Sequence, residues 1–171
     1  MKKLVLILAL GLMSATSNST ISAAELKLGY VNSQELLSIM PELTTADSAL
    51  KTFAKQYQEQ LETMSKDYEK KGNEYLATEK TMNEATKAAR QKELESLEIQ
   101  IRDFQQSSQQ KIAARKEELY KPVLEKADSA IKEVAKEKGY SYVFDASGGA
   151  ILFANDSDNI MPLVKAKLGI K

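Results

Sequence analysis

The chain has 171 residues, of which 43% are hydrophobic and 28% charged, with 24 basic and 24 acidic side chains. It contains no histidine, cysteine or tryptophan. This composition excludes a Cys/His metal site, a Cys-His or Ser-His-Asp catalytic centre and a disulfide. A net charge of zero also argues against nucleic acid as a partner, because neutralising a phosphate backbone needs an excess of lysine and arginine. We therefore expect neither an enzyme nor a bound cofactor.

The first 24 residues have the pattern of a cleaved secretory signal peptide. Two lysines precede the ten-residue apolar run Leu4–Met13, and a polar stretch then leads to the small residues Ser22 and Ala24. The apolar run is too short to span a bilayer core, which needs about 20 residues. We predict cleavage after Ala24, which leaves 22 basic and 24 acidic groups, and export to the periplasm of a two-membrane bacterium.

The middle of the chain predicts a long helical hairpin. The 97 residues from Glu42 to Lys138 include one glycine and one proline and are otherwise rich in strong helix formers. Their apolar residues recur at intervals of three and four, as along one face of a coiled-coil helix. A single helix of that length would extend about 145 Å, so a hairpin that reverses within Ala77–Asn83 is favoured. The second helix would be capped by Asn83 or by a Thr81–Glu84 capping box.

Residues 25–41 and 139–171 flank this hairpin and predict a small body that contains the β-structure. Its elements in chain order are a strand, a short helix, two β-prone runs that flank a Gly-Gly turn typical of a hairpin, and a final helix: Leu28–Val31, Gln34–Met40, Tyr140–Asp145, Ala150–Ala154 and Asn159–Leu168. The predicted fold class is α+β and predominantly α, with a long antiparallel helical arm on a small sheet.

The predicted strands hold five of the eleven aromatic residues, so we expect the core of the body there: Tyr30, Tyr140, Tyr142, Phe144 and Phe153. Three short strands bury too little apolar surface to form a stable core alone. We therefore predict an oligomer in which strands from several chains share one core. The residues assigned to this oligomerisation body are Leu28, Tyr30, Val31, Tyr142, Val143, Phe144, Ile151, Leu152 and Phe153.

The aromatic and methionine side chains of the arm have two interpretations. Their seam-like spacing favours packing between the two helices of the hairpin. The alternative is a surface that contacts unfolded chains, a task for which Tyr and Met are suited because they adapt to varied apolar partners. The residues assigned to this second role are Tyr57, Met64, Tyr68, Tyr75 and Phe104.

Two local motifs could indicate catalysis or metal binding. Ser147 lies near Asp145, but the G-x-S-x-G pattern and a histidine base are both missing, so an ordinary turn is favoured. The acidic segment Asp156–Asp158 lacks the glycine and distal glutamate of a calcium loop, and helix capping is favoured there. We predict no catalytic residue and no metal ligand.

The order of these elements resembles the Skp/OmpH family. The resemblance rests on Leu28–Asn32 (LGYVN), on the long charged hairpin, on Tyr142–Asp145 (YVFD) with the Gly-Gly that follows, and on the short amphipathic C-terminal segment. It implies a homotrimer whose strands form one body and whose three arms enclose a cavity. It also implies an ATP-independent periplasmic chaperone that holds unfolded outer-membrane β-barrel proteins and prevents their aggregation.

The charge of the arm departs from that family pattern. The best-known members have strongly basic arms, whereas residues 62–95 here contain seven basic and eight acidic groups. The sequence therefore does not support lipopolysaccharide or an anionic membrane surface as a partner. A periplasmic coiled-coil adaptor that bridges folded proteins is the alternative function.

Overall fold

The computed structural model describes residues 26–170, so the predicted signal peptide, residues 1–24, lies outside it. Within the described range the chain forms two strands and four α-helices, which are β1 (Leu28–Val31), α1 (Ser33–Ser38), α2 (Pro41–Thr78), α3 (Glu84–Glu137), β2 (Tyr142–Asp145) and α4 (Met161–Leu168). The predicted α+β class, predominantly α with a small sheet, is confirmed. Among residues 26–170, no helix combines the length and the apolar character that a membrane span requires.

The two strands pair in parallel, with Leu28 opposite Tyr142 and Val31 opposite Asp145. Parallel neighbours cannot be joined by a tight turn and need a crossover connection. Here α1, α2 and α3 together are that connection. The hairpin arm is therefore a long insertion between two paired strands, and both of its ends lie beside the same small sheet.

The hairpin predicted after β2 does not form. Residues Ala150–Ala154 have no strand conformation, and the described part of the chain contains a two-stranded sheet rather than three strands. A β-prone sequence becomes a strand only beside another strand that covers one of its faces, because β-propensity largely measures packing on a sheet. Leu152 and Phe153 instead lie on the surface, 97% and 83% exposed.

The arm is an antiparallel pair of helices of 38 and 54 residues, about 57 Å and about 81 Å long. The reversal lies within the predicted segment, where α2 ends at Thr78 and a short 3₁₀ turn follows. The Asn83 side chain accepts a hydrogen bond from the Thr86 N–H at 2.9 Å, which confirms the Asn83 cap. Thr81 does not form the alternative capping box, because its hydroxyl donates to the Thr78 carbonyl at 2.8 Å.

The core of the body is aliphatic, not aromatic. It is built from β1, α1, the last turns of α3 and α4, and its largest fully buried side chains are Leu36, Met40, Ile160 and Val164. Tyr142 and Phe144 are about half exposed in the single chain, so the shared core expected for the strand aromatics stays a prediction about the assembly. The α3 residues Val123, Ala127, Ala130 and Val134, which the sequence placed on the arm, are buried in this core.

The final helix begins close to the predicted position. The Asn159 side chain accepts a hydrogen bond from the Met161 N–H at 2.9 Å, and Gly169 ends the helix with a φ of 71°. Lys167 connects α4 to α3 through Glu133 at 2.9 Å and Glu137 at 2.6 Å. These contacts, the hydrogen bond to Glu137 above all, raise the pKa of Lys167.

Gly29 in β1 lies where the sheet and the core approach most closely. A Cβ atom there would stand 2.9 Å from Cε1 of Tyr140 and 3.0 Å from Cγ2 of Ile160. Ile160 is fully buried and cannot move aside without disturbing the core. By contrast, a Cβ at Gly72, in the interior of α2, would meet no atom within 4 Å.

We expect the same substitution at these two glycines to have opposite effects on stability. Gly29→Ala overpacks the core and should lower the free energy of unfolding by about 1–3 kcal/mol. Gly72→Ala should raise it by up to about 1 kcal/mol, since alanine stabilises a helix interior relative to glycine. Urea denaturation at equal protein concentration measures both values, and a loss of stability in Gly72→Ala would contradict this assignment.

Candidate functional site

Aromatic side chains of α2 and α3 contact each other near the middle of the arm. The rings of Tyr57 and Phe104 are 5.9 Å apart between centroids, and Phe53 lies 5.1 Å from Tyr57 on the same helix. All three side chains are half-buried. Aromatic pairs at this separation stabilise a contact beyond the area that they bury. Tyr57 and Phe104 therefore join the two helices, as the seam interpretation predicted, and keep part of their surface in solvent.

Basic side chains of α3 cover the outer sides of these rings. The Lys111 ammonium lies 5.7 Å from the Tyr57 ring centre, and the Arg115 guanidinium carbon lies 6.0 Å from that of Phe53. Such cation–π contacts contribute about 0.5–1 kcal/mol at exposed sites.

Polar contacts connect the helices on both sides of this aromatic region. Toward the reversal, Lys71 pairs with Glu93, and the Tyr75 hydroxyl accepts a hydrogen bond from Gln91 at 2.8 Å. The hydrogen bond between Lys71 and Glu93 raises the pKa of the lysine and lowers that of the glutamate.

Toward the body, two further contacts join α2 and α3. The Tyr120 hydroxyl donates to Asp47, and Lys126 pairs with Glu42. The first contact raises the pKa of Tyr120, and the second lowers that of Glu42, in both cases mainly through the side-chain hydrogen bond. Polar pairs therefore fix the register of the two helices at three levels along the arm: Lys71–Glu93, Tyr120–Asp47 and Lys126–Glu42.

The five residues assigned to contact with unfolded chains differ in exposure. Tyr57, Met64, Tyr75 and Phe104 are half-buried, while Tyr68 is exposed at 36%. Sequence reasoning missed three other apolar side chains of the arm that are more exposed than any of these: Leu76 at 69%, Leu124 at 49% and Ile99 at 46%. All three lie outside the regular apolar spacing of the seam. That departure is the feature of the sequence that could have identified them as exposed apolar residues.

The outer face of the sheet is apolar and uncovered. Strand alternation turns Gly29, Val31 and Val143 toward the core and leaves the pairs Leu28–Tyr142 and Tyr30–Phe144 on the opposite face. The Tyr142 and Phe144 rings are nearly parallel, with centroids 6.4 Å apart. A groove of about 530 Å³ separates this face from the irregular segment, and its wall includes Ile151 and Phe153.

The sheet face therefore unites most of the residues assigned to the oligomerisation body. Leu28, Tyr30, Tyr142, Phe144, Ile151 and Phe153 line or border one continuous surface, and Leu152 projects beside it. Val31 and Val143 lie behind it, where Val31 is 2% exposed within the core of its own chain. Exposed apolar patches of this kind usually mark an interaction surface.

Asp145 fixes the end of β2 to the start of α1. Its carboxylate accepts hydrogen bonds from the Ser33 hydroxyl at 2.6 Å, the Ser147 N–H at 2.9 Å and the Ser33 N–H at 3.1 Å. These donors, the Ser33 hydroxyl first, hold the pKa of Asp145 at about 2, below its ordinary value. Ser147 lies in the turn after β2, and its hydroxyl oxygen lies 3.3 Å from that of Ser33, an arrangement that orders the turn.

The acidic segment Asp156–Asp158 forms a short 3₁₀ turn just before α4. In residues 26–170, no three His, Cys, Asp or Glu side chains are grouped closely enough to hold a metal ion.

The family-model comparison matches the outer membrane protein (OmpH-like) family over residues 27–168. That range covers most of the chain, and the chain belongs to this family. One relative, the chaperone protein Skp of Pectobacterium atrosepticum, is 27% identical over 165 residues, which cover 96% of this chain and 98% of the relative.

A solved structure shares the fold described above. It is that of an OmpH-like protein from Caulobacter crescentus CB15, with a TM-score of 0.73 at 18% identity and 85% of each chain covered. At that level of identity the likeness concerns the fold alone. It supports the helical hairpin and the small sheet as one family architecture.

The Asp145 contacts predict a specific dependence of stability on pH. Because the folded pKa lies below the unfolded value of about 3.9, the stabilisation is complete above that value and is lost as the pH falls through the folded pKa of about 2. The melting temperature of the unmodified protein should therefore fall more steeply between about pH 4 and pH 2 than that of Asp145→Asn.

Asp156→Asn is the matched control, because the Asp156 carboxylate accepts no hydrogen bond within residues 26–170. Its melting curve should keep the slope of the unmodified protein. Equal slopes for Asp145→Asn and the unmodified protein would show that these hydrogen bonds do not stabilise the fold.

Proposed function

We propose that this protein is an ATP-independent periplasmic holdase that encloses unfolded outer-membrane β-barrel proteins and prevents their aggregation. One observation carries the proposal: a long two-helix arm projects from a small body whose apolar sheet face is uncovered. Family membership and the relative named chaperone protein Skp support it. Cleavage of residues 1–24 would deliver the protein to the periplasm.

The uncovered sheet face supports self-association as part of this function. Leu28, Tyr142, Phe144 and Phe153 are between 46% and 83% exposed, and burying them against equivalent surfaces would complete the core that one chain leaves open. We infer a homotrimer, the assembly that the family resemblance implies, and closed rotational symmetry would then place the three arms around a common axis. The resulting body would comprise residues 25–41 and 139–171 together with the last turns of α3, and the rest of residues 42–138 would form the arm.

Holding a client requires neither catalysis nor nucleotide. Unfolded barrel strands aggregate because their apolar side chains and unpaired backbone edges meet those of other chains, and separating them inside a cavity prevents that encounter. Tyr57, Met64, Tyr68, Tyr75 and Phe104 would supply many weak, adaptable contacts. A surface of this type suits a partner with low sequence specificity.

The interhelical contacts also favour a second function. Three levels of polar pairing join the two helices of the arm, and Tyr57 and Phe104 contact each other, as in a spacer between folded partners. A periplasmic adaptor would bind one folded protein and ignore unfolded chains. Neither function gives lipopolysaccharide or an anionic membrane surface a role.

Light scattering on the chain without residues 1–24 tests the first proposal against the second. We expect a trimer that, after addition of a urea-unfolded outer-membrane β-barrel protein, becomes one soluble complex of trimer and client. Precipitation of the client beside an unchanged protein would overturn the holdase and favour the adaptor. A monomer that still binds client would overturn the trimer alone.

Substitutions on the sheet face test the assembly. The double variant Tyr142→Ser, Phe144→Ser should remain folded, since both rings lie outside the core of the chain, and should dissociate at concentrations where the unmodified protein is a trimer. Ile99→Ser removes an equally exposed apolar side chain from the arm and should leave the mass unchanged. An intact trimer in the double variant would place the interface elsewhere.

A further inference from the structure

The tip of the arm contains a cleft that the sequence did not indicate. It has a volume of about 440 Å³, within the range of sites that receive small ligands, and lies between α2 and α3 just before the reversal. Its apolar wall is formed by Tyr75, Ala77, Met82 and Leu94. Leu76, the neighbour of two of these residues along the chain, is 69% exposed. The other residues that line the cleft are polar or charged: Lys71, Glu74, Thr78, Arg90 and Glu93.

The charged groups around this cleft are paired with one another. Lys71 contacts Glu93 and, at 4.0 Å, Asp67, and Arg90 contacts the other Glu93 oxygen at 2.7 Å. Over residues 62–95, which we call the arm-tip segment, five of the seven basic side chains have an acidic partner within the arm: Lys66, Lys70, Lys71, Lys87 and Arg90.

The charges of the whole arm are balanced in the same way, with 18 basic and 19 acidic groups between residues 42 and 138.

The pairing of charges at the arm tip limits its attraction of charged partners over a distance. Electrostatic steering needs an excess of one sign of charge, whereas two opposite charges held within 4 Å largely cancel beyond the Debye length of about 8 Å at physiological ionic strength. Partner selection at the tip must therefore depend on short-range apolar contact.

The strands of outer-membrane barrels have a pattern that fits this surface. Lipid-facing apolar residues alternate with polar ones, so an unfolded strand presents large apolar side chains one at a time. A cleft with an apolar wall and a rim of nearly zero net charge can receive one such side chain whether its polar neighbours are acidic or basic.

We propose that the arm-tip cleft takes the large apolar side chains of unfolded β-barrel strands, and that this binding is independent of ionic strength and of the net charge of the strand. The inference rests on the proposed holdase function and adds the chemistry by which clients are selected. It distinguishes this chain from a holdase whose arm carries an excess of basic charge, because no salt-sensitive attraction contributes to capture.

The test measures binding of three fluorescent peptides to the protein without residues 1–24. The peptides share one alternating apolar pattern and differ only in being net acidic, neutral or net basic. We expect their dissociation constants to agree within about threefold and to change by less than about threefold between about 0.05 M and 0.5 M NaCl. A tenfold loss at high salt for either charged peptide would overturn the inference.

A cleft variant tests the location. Met82→Ser should weaken binding of all three peptides by about 5- to 20-fold, since it removes an apolar wall outside the regular helices. Leu124→Ser removes an exposed apolar side chain distant from the cleft, at the body end of α3, and should bind as the unmodified protein does. Equal binding by both variants would place the site elsewhere, and circular dichroism shows whether each variant is folded.

A charge variant tests the cause of salt independence. Glu62→Gln with Glu84→Gln leaves Lys66 and Lys87 without their partners in the arm-tip segment, and neither glutamate lines the cleft. Binding of the acidic peptide should then tighten at low salt and weaken as salt is added, while the neutral peptide is unaffected. If binding by this variant showed no new salt dependence, charge pairing would not be the cause of salt-independent binding. Failure of the unmodified protein to bind a urea-unfolded barrel at either salt would overturn the holdase itself.

Discussion

The parallel pairing of β1 with β2 is the constraint on which the rest of the structure depends. It brings Leu28 opposite Tyr142, residues more than a hundred positions apart, and so forces the intervening chain to leave the sheet and return to it. A helical hairpin meets that requirement with few long-range contacts, because two antiparallel helices end where they began. The last turns of α3 then pack with α1 and α4 under the sheet, which connects the arm to the body.

Different interactions stabilise the two parts of the molecule. The body depends on burial of aliphatic side chains such as Leu36 and Val164. In the arm, most apolar residues are only half-buried, and the ion pairs lie at or near the surface, where solvent weakens them. The aromatic contact of Tyr57 with Phe104 and the three levels of polar pairing therefore fix the register of the helices more than they stabilise them. This division leaves apolar side chains of the arm accessible for other contacts.

The surface of the single chain links its fold to its proposed function. On the two-stranded sheet, the valines face inward and the aromatic residues face outward. The chain therefore completes one apolar core and exposes an aromatic face that would contribute to a second core in an assembly. Burial of that aromatic face in an assembly would position several arms together, and the balanced charge of each arm would let them approach without mutual repulsion. Assembly and client capture would then use separate apolar surfaces, at opposite ends of the same molecule.

The sequence by itself determined the helical arm, its reversal near Asn83 and the strand at Leu28–Val31, because each depends on local propensity, periodicity or capping. It also indicated that Tyr57 and Phe104 lie along a seam. Only the tertiary structure decided that the strands are parallel, that Ala150–Ala154 forms no strand, and that Val123 and Val134 belong to the core of the body. The physical reason is that strand pairing and burial depend on distant partners, which local patterns do not encode. The arm-tip cleft likewise exists only once Lys71 meets Glu93 across the hairpin.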